Sequence, residues 1–310
     1  MQLYHFLCEN LSTTKQELSS YVFSAPKKYK IYTIPKRTSG HRVIAHPAKE
    51  LKRIQRALTK QLTKELPIHA SAYAYKRNAN IKDNASKHRK SKYLLKMDFN
   101  NFFHSITPDI LFIILKKLDI SVSKDDKYLL KQILFWSPSK NNDGKLVLSI
   151  GAPSSPLISN SIMFFFDQEI FNICKSRGIV YTRYSDDITL STNSKNILFE
   201  LPKIIKVLLS THFNGTITIN ESKTIFTSKA HNRHVTGITI TNDGGLSIGR
   251  KRKRYISSLI HKYANNELPS EDNKYLQGLT SFAFNVEPLF KARMIRKYSA
   301  KIIVNILRET

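Results

Sequence analysis

The sequence predicts an α+β fold in which an antiparallel sheet is followed by a helical C-terminal region. Residues 178–192 hold two runs rich in β-branched and aromatic residues on either side of a tight turn, a pattern typical of a β-hairpin. Residues 27–47 alternate in the same way and predict a second hairpin. From residue 249 onward apolar side chains recur at helical spacing, which predicts helices to the end of the chain.

The chain carries a large excess of positive charge. Fifty Lys and Arg residues against 23 Asp and Glu residues leave a formal net charge of +27. Such a surplus indicates a polyanionic partner, because without one the positive charges would repel one another and destabilise the folded chain. Nucleic acid is the first candidate, and an anionic membrane surface is the second. The sequence has no run of the ~18–20 apolar residues that a membrane span requires, so we expect no membrane association.

The length and the cysteine content narrow the class of protein further. A chain of 310 residues can bury a sizeable core, and its hydrophobic content of 41% is ordinary for a globular protein. The first ten residues lack the basic start and apolar core of a signal peptide. Cys8 and Cys174 form neither a disulfide framework nor a metal-ligand spacing. These features predict a reducing compartment, for which the bacterial cytoplasm and the eukaryotic cytosol are both suitable.

The N-terminal part of the chain combines helices with the basic hairpin. Residues 11–23 predict an amphipathic helix that opens with a capping box at Thr14 and Glu17. Residues 50–65 predict a second helix with one apolar face. Residues 69–88 interleave tyrosines with basic residues, which suits base stacking and phosphate contact but equally suits an ordinary loop and helix.

The hairpin of residues 27–47 is expected to turn near residues 39–40. Lys36, Arg37 and Arg42 would line it. These cations would hold phosphates, or they would simply keep an exposed strand edge soluble, as lysine often does.

Three acidic residues are distinguished by their positions. Asp98 follows the apolar strand 93–97, where a buried carboxylate costs free energy unless it is paired or bound to a metal. Asp186 and Asp187 lie side by side at the turn of the hairpin 179–191, where like charges at about 4 Å repel by roughly 1 kcal/mol in water. The pair alone could be a solvated turn. With Asp98 it predicts a cage for two cations about 3.5–4 Å apart, as nucleotidyl transfer requires.

The remaining elements follow from local signals. Asp125 and Asp126 come after Ser123 and open a helical stretch, so they are expected to cap that helix and balance its dipole. Gly151 permits close approach of the backbone before an apolar helix at 157–174. The other expected elements are a polar loop at 137–145, a helix at 198–209, and a strand or a strand pair interrupted at 220–223 within 216–226. Strands at 234–240 and 246–248 and helices from 250, at 274–284 and at 289–307 are expected after it.

Six short motifs in order along the chain carry a family resemblance. They are N-A-S-K-H at 84–88, Asp98 after its strand, G-A-P-S-S-P at 151–156 with Asn160, Y-S-D-D at 184–187, N-x-x-K-T at 220–224 and V-T-G at 235–237. With these motifs the chain resembles reverse transcriptases, and most of all the bacterial retron class, over nearly its whole length. It departs from the family pattern at Ile150, where glutamine is usual, and this removes a polar contact to the incoming nucleotide.

The resemblance implies a right-hand polymerase with fingers, an antiparallel-sheet palm and a helical thumb. An N-terminal helix and the fingers would occupy residues 1–92, the palm with a fingers insertion 93–235, and the palm–thumb junction and basic thumb 236–310. A structured noncoding RNA would serve as template and primer, and dNTPs would be added from a guanosine 2′-hydroxyl. The product would be a branched, RNA-linked single-stranded DNA (msDNA) in the bacterial cytoplasm, with an effector protein as a partner in antiphage defence.

The resemblance also implies roles for individual residues at the reaction centre. Asp98, Asp186 and Asp187 would be catalytic and would hold two Mg²⁺ ions, for which Mn²⁺ could substitute. Phe103 lies where the family has its steric gate against ribonucleotides, although a core phenylalanine would suit the same place. Lys223 would protonate the leaving pyrophosphate or would be an ordinary solvated lysine. The nucleotide-binding set would be Lys36, Arg42, Phe99, Phe103, Gly151, Ala152, Pro153 and Lys223.

A second set of residues would contact RNA. The basic run at 250–254 would hold an RNA stem by its phosphates, which makes affinity fall steeply with salt. His88 suits a structural histidine as well as an RNA contact. The complete RNA-binding set would be Asn84, His88, Val235, Thr236, Gly237, Arg250, Lys251, Arg252, Lys253 and Arg254.

Two other functions compete with this interpretation. One is a group II intron-type enzyme, which usually carries an added maturation or endonuclease region that is not expected in these 310 residues. The other is a catalytically impaired RNA-binding subunit that kept the polymerase fold. Ile150 favours this second alternative, and the three acidic residues argue against it.

Overall fold

The structure is a computed structural model that describes residues 2–36, 40–140 and 144–308. Arg37 and Ser39, which we expected at the tip of the basic hairpin, lie outside the described residues. Part of the predicted polar loop at 137–145 lies outside them as well. Across the described ranges no helix has both the length and the apolar character needed to cross a membrane.

The N-terminal part contains helices around the predicted basic hairpin. The hairpin strands are antiparallel, with Tyr29 opposite Pro47. The expected capping box is present, since the Thr14 hydroxyl accepts from the Glu17 N–H and the Glu17 carboxylate accepts from the Thr14 N–H. The sequence had not indicated the first helix. The elements are α1 (Leu3–Leu11), α2 (Lys15–Ser24), β1 (Tyr29–Pro35), β2 (His41–Pro47), α3 (Lys49–Leu62) and α4 (Ile81–Lys87).

The middle of the chain builds a four-stranded antiparallel sheet with helices packed against it. Ser123 is the N-cap of a helix here, because its hydroxyl accepts from the Asp126 N–H at 3.0 Å. Asp125 and Asp126, which we expected to cap this helix, lie in its first turn, where acids balance the helix dipole. The Asp126 carboxylate also accepts from the Leu3 N–H at 3.0 Å and so ties down the first helix. The elements are β3 (Tyr93–Asp98), α5 (Phe102–Ser105), α6 (Pro108–Lys117), α7 (Lys124–Leu134), α8 (Ser155–Ile162), α9 (Phe164–Ser176), β4 (Val180–Tyr184), β5 (Asp187–Thr192), α10 (Leu201–Phe213) and β6 (Ile225–Ser228).

The strand order in this sheet is β4-β5-β3-β6. The predicted hairpin is therefore β4–β5, and β5 lies beside the strand that ends in Asp98. The region 216–226, predicted as one strand or as a strand pair interrupted at 220–223, is interrupted there by a short turn at Glu221–Lys223, and a strand follows from Ile225. Ile219 forms only an isolated bridge with Phe99, and the Asn220 N–H donates to the Asp98 carbonyl at 2.7 Å. The chain thus crosses the end of β3 first and pairs along it only from Ile225.

The C-terminal part has a small three-stranded sheet and a helical bundle. The strand predicted at 234–240 is two strands, because Thr236 (φ 47°) and Gly237 (φ 80°) form a tight turn with positive φ at both positions. The helix predicted at 289–307 is also two helices, since Ser299 has a φ of 84° that a helix cannot contain. The elements are β7 (Arg233–Val235), β8 (Ile238–Ile240), β9 (Leu246–Ser247), α11 (Arg250–Ala264), α12 (Asn273–Val286), α13 (Pro288–Tyr298) and α14 (Ala300–Arg308).

Two hydrophobic cores stabilise these parts. The first joins the N-terminal helices to the four-stranded sheet and includes buried residues from Leu3 to Ile219. The second lies between the C-terminal helices and the small sheet, and it also takes in Ala85 and Leu94. Each fully buried aliphatic side chain contributes about 1.5–3 kcal/mol relative to an exposed one. Cys174 belongs to the first core, and both cysteines are free thiols.

Candidate active site

The three acidic residues singled out in the sequence lie together at one end of the four-stranded sheet. Asp98 is the last residue of β3 and is directly opposite Asp187, the first residue of β5. The Phe99 N–H donates to the Asp186 carbonyl at 3.1 Å and closes the same edge. Neighbouring antiparallel residues have Cα atoms about 4.5–5.5 Å apart, so their carboxylates are within reach of one another.

The carboxylates strongly influence one another's ionisation. Burial, followed by the neighbouring Asp186 and Asp98, raises the pKa of Asp187 to about 7. Burial and then Asp98 also raise the pKa of Asp186, while Lys223 and Arg42 act in the opposite direction. Burial is thus the main cause of both raised pKa values, and repulsion by the neighbouring acids adds to it.

Lys223 is the main counter-charge at this end of the sheet. Its Nζ lies 2.9 Å from Oδ1 of Asp98, whose side chain is nearly buried. Lys223 sits in a short turn after Asn220, and the bond of the Asn220 N–H to the Asp98 carbonyl holds that turn against β3. The resemblance implied that Lys223 protonates the leaving pyrophosphate or is an ordinary solvated lysine. In the structure it forms an ion pair with Asp98.

The donor set suits a divalent cation in its chemistry. Mg²⁺ prefers carboxylate oxygens, and the pKa values of Asp186 and Asp187 are raised first by burial and then by the neighbouring acids, both of which a bound cation would offset. Within the described residues, no three His, Cys, Asp or Glu side chains are arranged as a complete metal-binding group. Asp98 would have to exchange its bond with Lys223 for a bond with the cation. The site thus fits a metal by its donor set and backbone placement, with a change of side-chain conformation.

The G-A-P turn packs against the basic hairpin. Gly151 has a φ of 126°, and a Cβ atom at this position would lie 3.1 Å from the Ala45 carbonyl oxygen. The Ala45 N–H donates to the Ile150 carbonyl at 3.0 Å. Ala152 is buried just beyond this contact, and Pro153 is half-buried. Glycine is required here because a side chain would separate the turn from β2.

A cleft of about 1000 Å³ opens above the acidic residues. Its floor includes Asp98, Asp187 and Lys223, and Arg42 reaches it from the basic hairpin. The opposite wall belongs to the C-terminal helices and to the β7–β8 turn. That wall includes Thr236, Gly237, Arg252, Tyr255 and Tyr275.

Three other members of the predicted nucleotide-binding set have been located. Phe99 is buried and its ring centroid lies 5.2 Å from that of Phe102. Phe103 is half-buried at 5.5 Å from Phe102 and packs against the first core. Lys36 is exposed at the end of β1, where its N–H donates to the Gly40 carbonyl at 2.9 Å. Their contacts with nucleotide stay predictions.

Two predicted RNA-contacting residues are turned inward. His88 is fully buried, with Nδ1 at 2.7 Å from the Ser191 hydroxyl and Nε2 at 2.8 Å from the Thr182 hydroxyl. Burial lowers the pKa of His88 to about 3, so the ring is neutral. Asn84 is also buried and donates to the Thr236 hydroxyl at 3.5 Å. The N-A-x-x-H and V-T-G motifs thus touch each other, and Val235 lies in the second core.

The basic run at the start of α11 divides into residues with different surroundings. Arg252 lines the cleft and donates to the Gly237 carbonyl at 3.2 Å. Lys253 is paired with Glu287 at 2.9 Å. Arg250, Lys251 and Arg254 are exposed. Their contact with RNA stays a prediction.

The sequence did not indicate an ion pair beneath the acidic turn. Arg183 and Asp167 are both fully buried, and their closest charged atoms are 2.7 Å apart. The available signals were weak: one arginine inside an apolar strand and one aspartate inside an apolar helix. Each would have to be partnered, but the sequence does not say by which residue.

The comparisons with known proteins agree with this site. Residues 34–240 match the family described as "Reverse transcriptase (RNA-dependent DNA polymerase)". Two telomerase structures share the fold, one from Candida albicans bound to a telomeric RNA fragment (TM-score 0.51) and one from Candida tropicalis (TM-score 0.52), each 13% identical. They cover 91% and 90% of this chain, which spans 61% and 60% of theirs. The chain belongs to the reverse transcriptase family and has its right-hand polymerase fold.

Curated relatives narrow the class within the family. The retron Ec83 reverse transcriptase of Escherichia coli is 48% identical over 90% of this chain and 89% of its own length. The retron Ec73 reverse transcriptase of Escherichia coli is 30% identical over 97% of this chain and 96% of its own length. The chain is therefore of the bacterial retron class, and its activity is that of an RNA-directed DNA polymerase, as the motifs had predicted.

Proposed function

We propose that this polymerase copies a structured noncoding RNA into a branched, RNA-linked single-stranded DNA (msDNA), starting from the 2′-hydroxyl of a guanosine. The observation that carries the proposal is the register that sets Asp98 opposite Asp187 beside Asp186. This arrangement supports a site for two divalent cations, Mg²⁺ or Mn²⁺, next to a cleft large enough for a primer end and a nucleotide.

The residues around the cleft would have different roles in nucleotidyl transfer. Asp98, Asp186 and Asp187 would hold the cations, which when bound would activate the primer hydroxyl and neutralise charge on the leaving pyrophosphate. Arg42 reaches the cleft from β2 and would grip the triphosphate as a fork, with Lys36 as a second cation. Lys223, once released from Asp98, would give its proton to the departing pyrophosphate.

Nucleic acid would occupy the cleft between the acidic residues and the C-terminal helices. We propose fingers in residues 1–92, palm in 93–235 and thumb in 236–310. The second core, which is formed mostly by residues after 236, supports this division. Tyr255 and Tyr275 on the thumb side are about half exposed and would contact the primer–template. An effector protein, antiphage defence and a cytoplasmic location complete the proposal, and these rest on the retron resemblance alone.

Primer extension on the cognate RNA tests the proposal. With purified protein, RNA, dNTPs and Mg²⁺, we expect Asp98→Asn and Asp186→Asn to lower extension at least 1000-fold, since each loses a metal-ligating charge. Both variants should retain RNA binding, measured by gel shift. Asp125→Asn is the matched control, because Asp125 is an exposed acid at a helix start. Persistent extension by either active-site variant would contradict the proposal.

A further inference from the structure

A buried polar network lies directly beneath the acidic turn. Arg183 of β4 donates from Nε to Oδ1 of Asp167 at 2.8 Å and from Nη2 to Oδ2 at 2.7 Å. The Tyr181 hydroxyl donates to the same carboxylate at 2.6 Å. Both charged side chains are wholly buried, so neither can exchange its partner for water.

The same guanidinium also reaches the catalytic turn. Nη1 of Arg183 donates to the carbonyl of Ser185 at 2.9 Å. Ser185 immediately precedes Asp186 and has a φ of 60°, a left-handed conformation that serine seldom adopts. The carbonyl bond to Arg183 therefore fixes the peptide from which Asp186 extends.

A third bond connects the network to the nucleotide-pocket side. Nη1 of Arg183 lies 3.2 Å from Oδ1 of Asn160, in the helix that begins just after the G-A-P turn. Nδ2 of Asn160 donates to the Ala74 carbonyl at 2.9 Å. The Arg183 backbone continues this link, because its N–H donates to the Ser71 carbonyl at 2.8 Å. One side chain thus joins β4, α8 and α9 at the root of the turn.

We propose that Arg183 is a positioning residue for DNA synthesis, which fixes the Ser185 carbonyl so that Asp186 is held in its metal-binding place and coupled to helix α8. The inference rests on the metal-ligating role proposed for Asp186. Asp167 accepts from Nε and Nη2 of the guanidinium, and Nη1 is left to bond the Ser185 carbonyl and Asn160. A buried guanidinium needs acceptors for all of its N–H groups, and here the acceptors of Nη1 lie on the turn that carries Asp186 and on helix α8.

Arg183→Lys separates the two roles. A lysine keeps a positive charge for Asp167, but one ammonium group cannot also span to Ser185 and Asn160 as the planar guanidinium does. We expect turnover in primer extension to fall at least tenfold and the Mg²⁺ concentration for half-maximal rate to rise at least threefold. Both are measured at a temperature where urea or thermal unfolding shows the variant to be folded.

Tyr181→Phe is the matched control, since it removes a bond to Asp167 and leaves the contact of Arg183 with Ser185. We expect it to lower stability while turnover and Mg²⁺ midpoint stay within twofold of the wild-type values. Wild-type kinetics for folded Arg183→Lys would overturn the inference. An equal kinetic loss in Tyr181→Phe would also overturn it, because general weakening of the network would then explain both.

A further variant covers the case in which Arg183→Lys does not fold. Asn160→Ser leaves the ion pair intact and shortens the side chain that links Arg183 to α8, so a threefold or larger shift of the Mg²⁺ midpoint is expected, and an unchanged midpoint overturns the inference. Asp186→Asn, measured alongside, distinguishes the two proposals. If it remains active, the proposed function fails; if it is inactive while the Arg183 and Asn160 variants behave as wild type, only the positioning role fails.

Discussion

Replacing His88 with phenylalanine should make the stability of the protein less sensitive to acid. Burial lowers the pKa of His88 from its ordinary 6.5 to about 3. Between these values the unfolded chain binds a proton that the folded chain does not, so stability is present above about pH 6.5 and is lost as the pH falls. From pH 7 to pH 5 this linkage costs the wild type about 2 kcal/mol.

The variant has a different cost that does not depend on pH. His88→Phe keeps the ring but leaves the Thr182 hydroxyl buried without its partner, at about 1–3 kcal/mol. The Ser191 hydroxyl keeps its bond to Ser91 at 2.9 Å. We therefore expect the free energy of unfolding of His88→Phe to be about 1–3 kcal/mol below that of the wild type at pH 7. At pH 5 this difference should be about 2 kcal/mol smaller, because the wild type loses that much stability to protonation.

Urea unfolding at pH 7 and pH 5, followed by circular dichroism, measures both numbers. His231→Phe is the control, because His231 is exposed and its replacement should give the same small change at both pH values. An equal deficit of His88→Phe at the two pH values would refute the buried neutral histidine. Wild-type stability together with weakened RNA binding would instead favour the RNA contact that the motif suggests.

Two further predictions concern the cleft. Gly151→Ala should lower the melting temperature and raise the KM for dNTPs, since the new Cβ would press on the Ala45 carbonyl and the residue would keep a strained positive φ; unchanged values for both would refute the close packing. In EDTA, Asp187→Asn should melt above the wild type at pH 8, because a carboxyl with a raised pKa destabilises the fold as the pH rises through about 7. The difference should vanish near pH 4, where Asp187 is protonated, and a difference equal at both pH values would contradict the raised pKa of Asp187.

The sequence was sufficient for the parts of the site that obey a local rule. Strands alternate with a period of two, so the hairpin with Asp186 and Asp187 and the strand ending at Asp98 could be placed without knowing the fold. A break between two helices is harder to predict when it contains neither Gly nor Pro. The break at Ser299 carries neither residue, and the helix therefore looked continuous in the periodicity.

The polar interior could not be derived from local patterns. Asp167 and Arg183 are on different elements, and periodicity does not say which charged group a buried one will meet. A motif placed Asn84 and His88 in the predicted RNA-binding set, with a structural role as the alternative for His88, and the structure buries both residues. A motif records that a residue type is needed at a position. It does not distinguish contact with a ligand from support of the residues that make the contact.

The β4–β5 hairpin has buried polar supports on both of its faces. Neighbouring strand residues point to opposite sides, so Thr182 meets His88 on one face while Arg183 meets Asp167 on the other. At the tip, burial raises the pKa values of Asp186 and Asp187, and repulsion by the neighbouring acids adds to it. A flexible hairpin would relieve that repulsion by moving its acids apart. Because its root is held on both faces by bonds that water cannot replace, the tip instead keeps Asp186 and Asp187 beside Asp98 at the end of the sheet, from where a change of side-chain conformation would let them share a divalent cation.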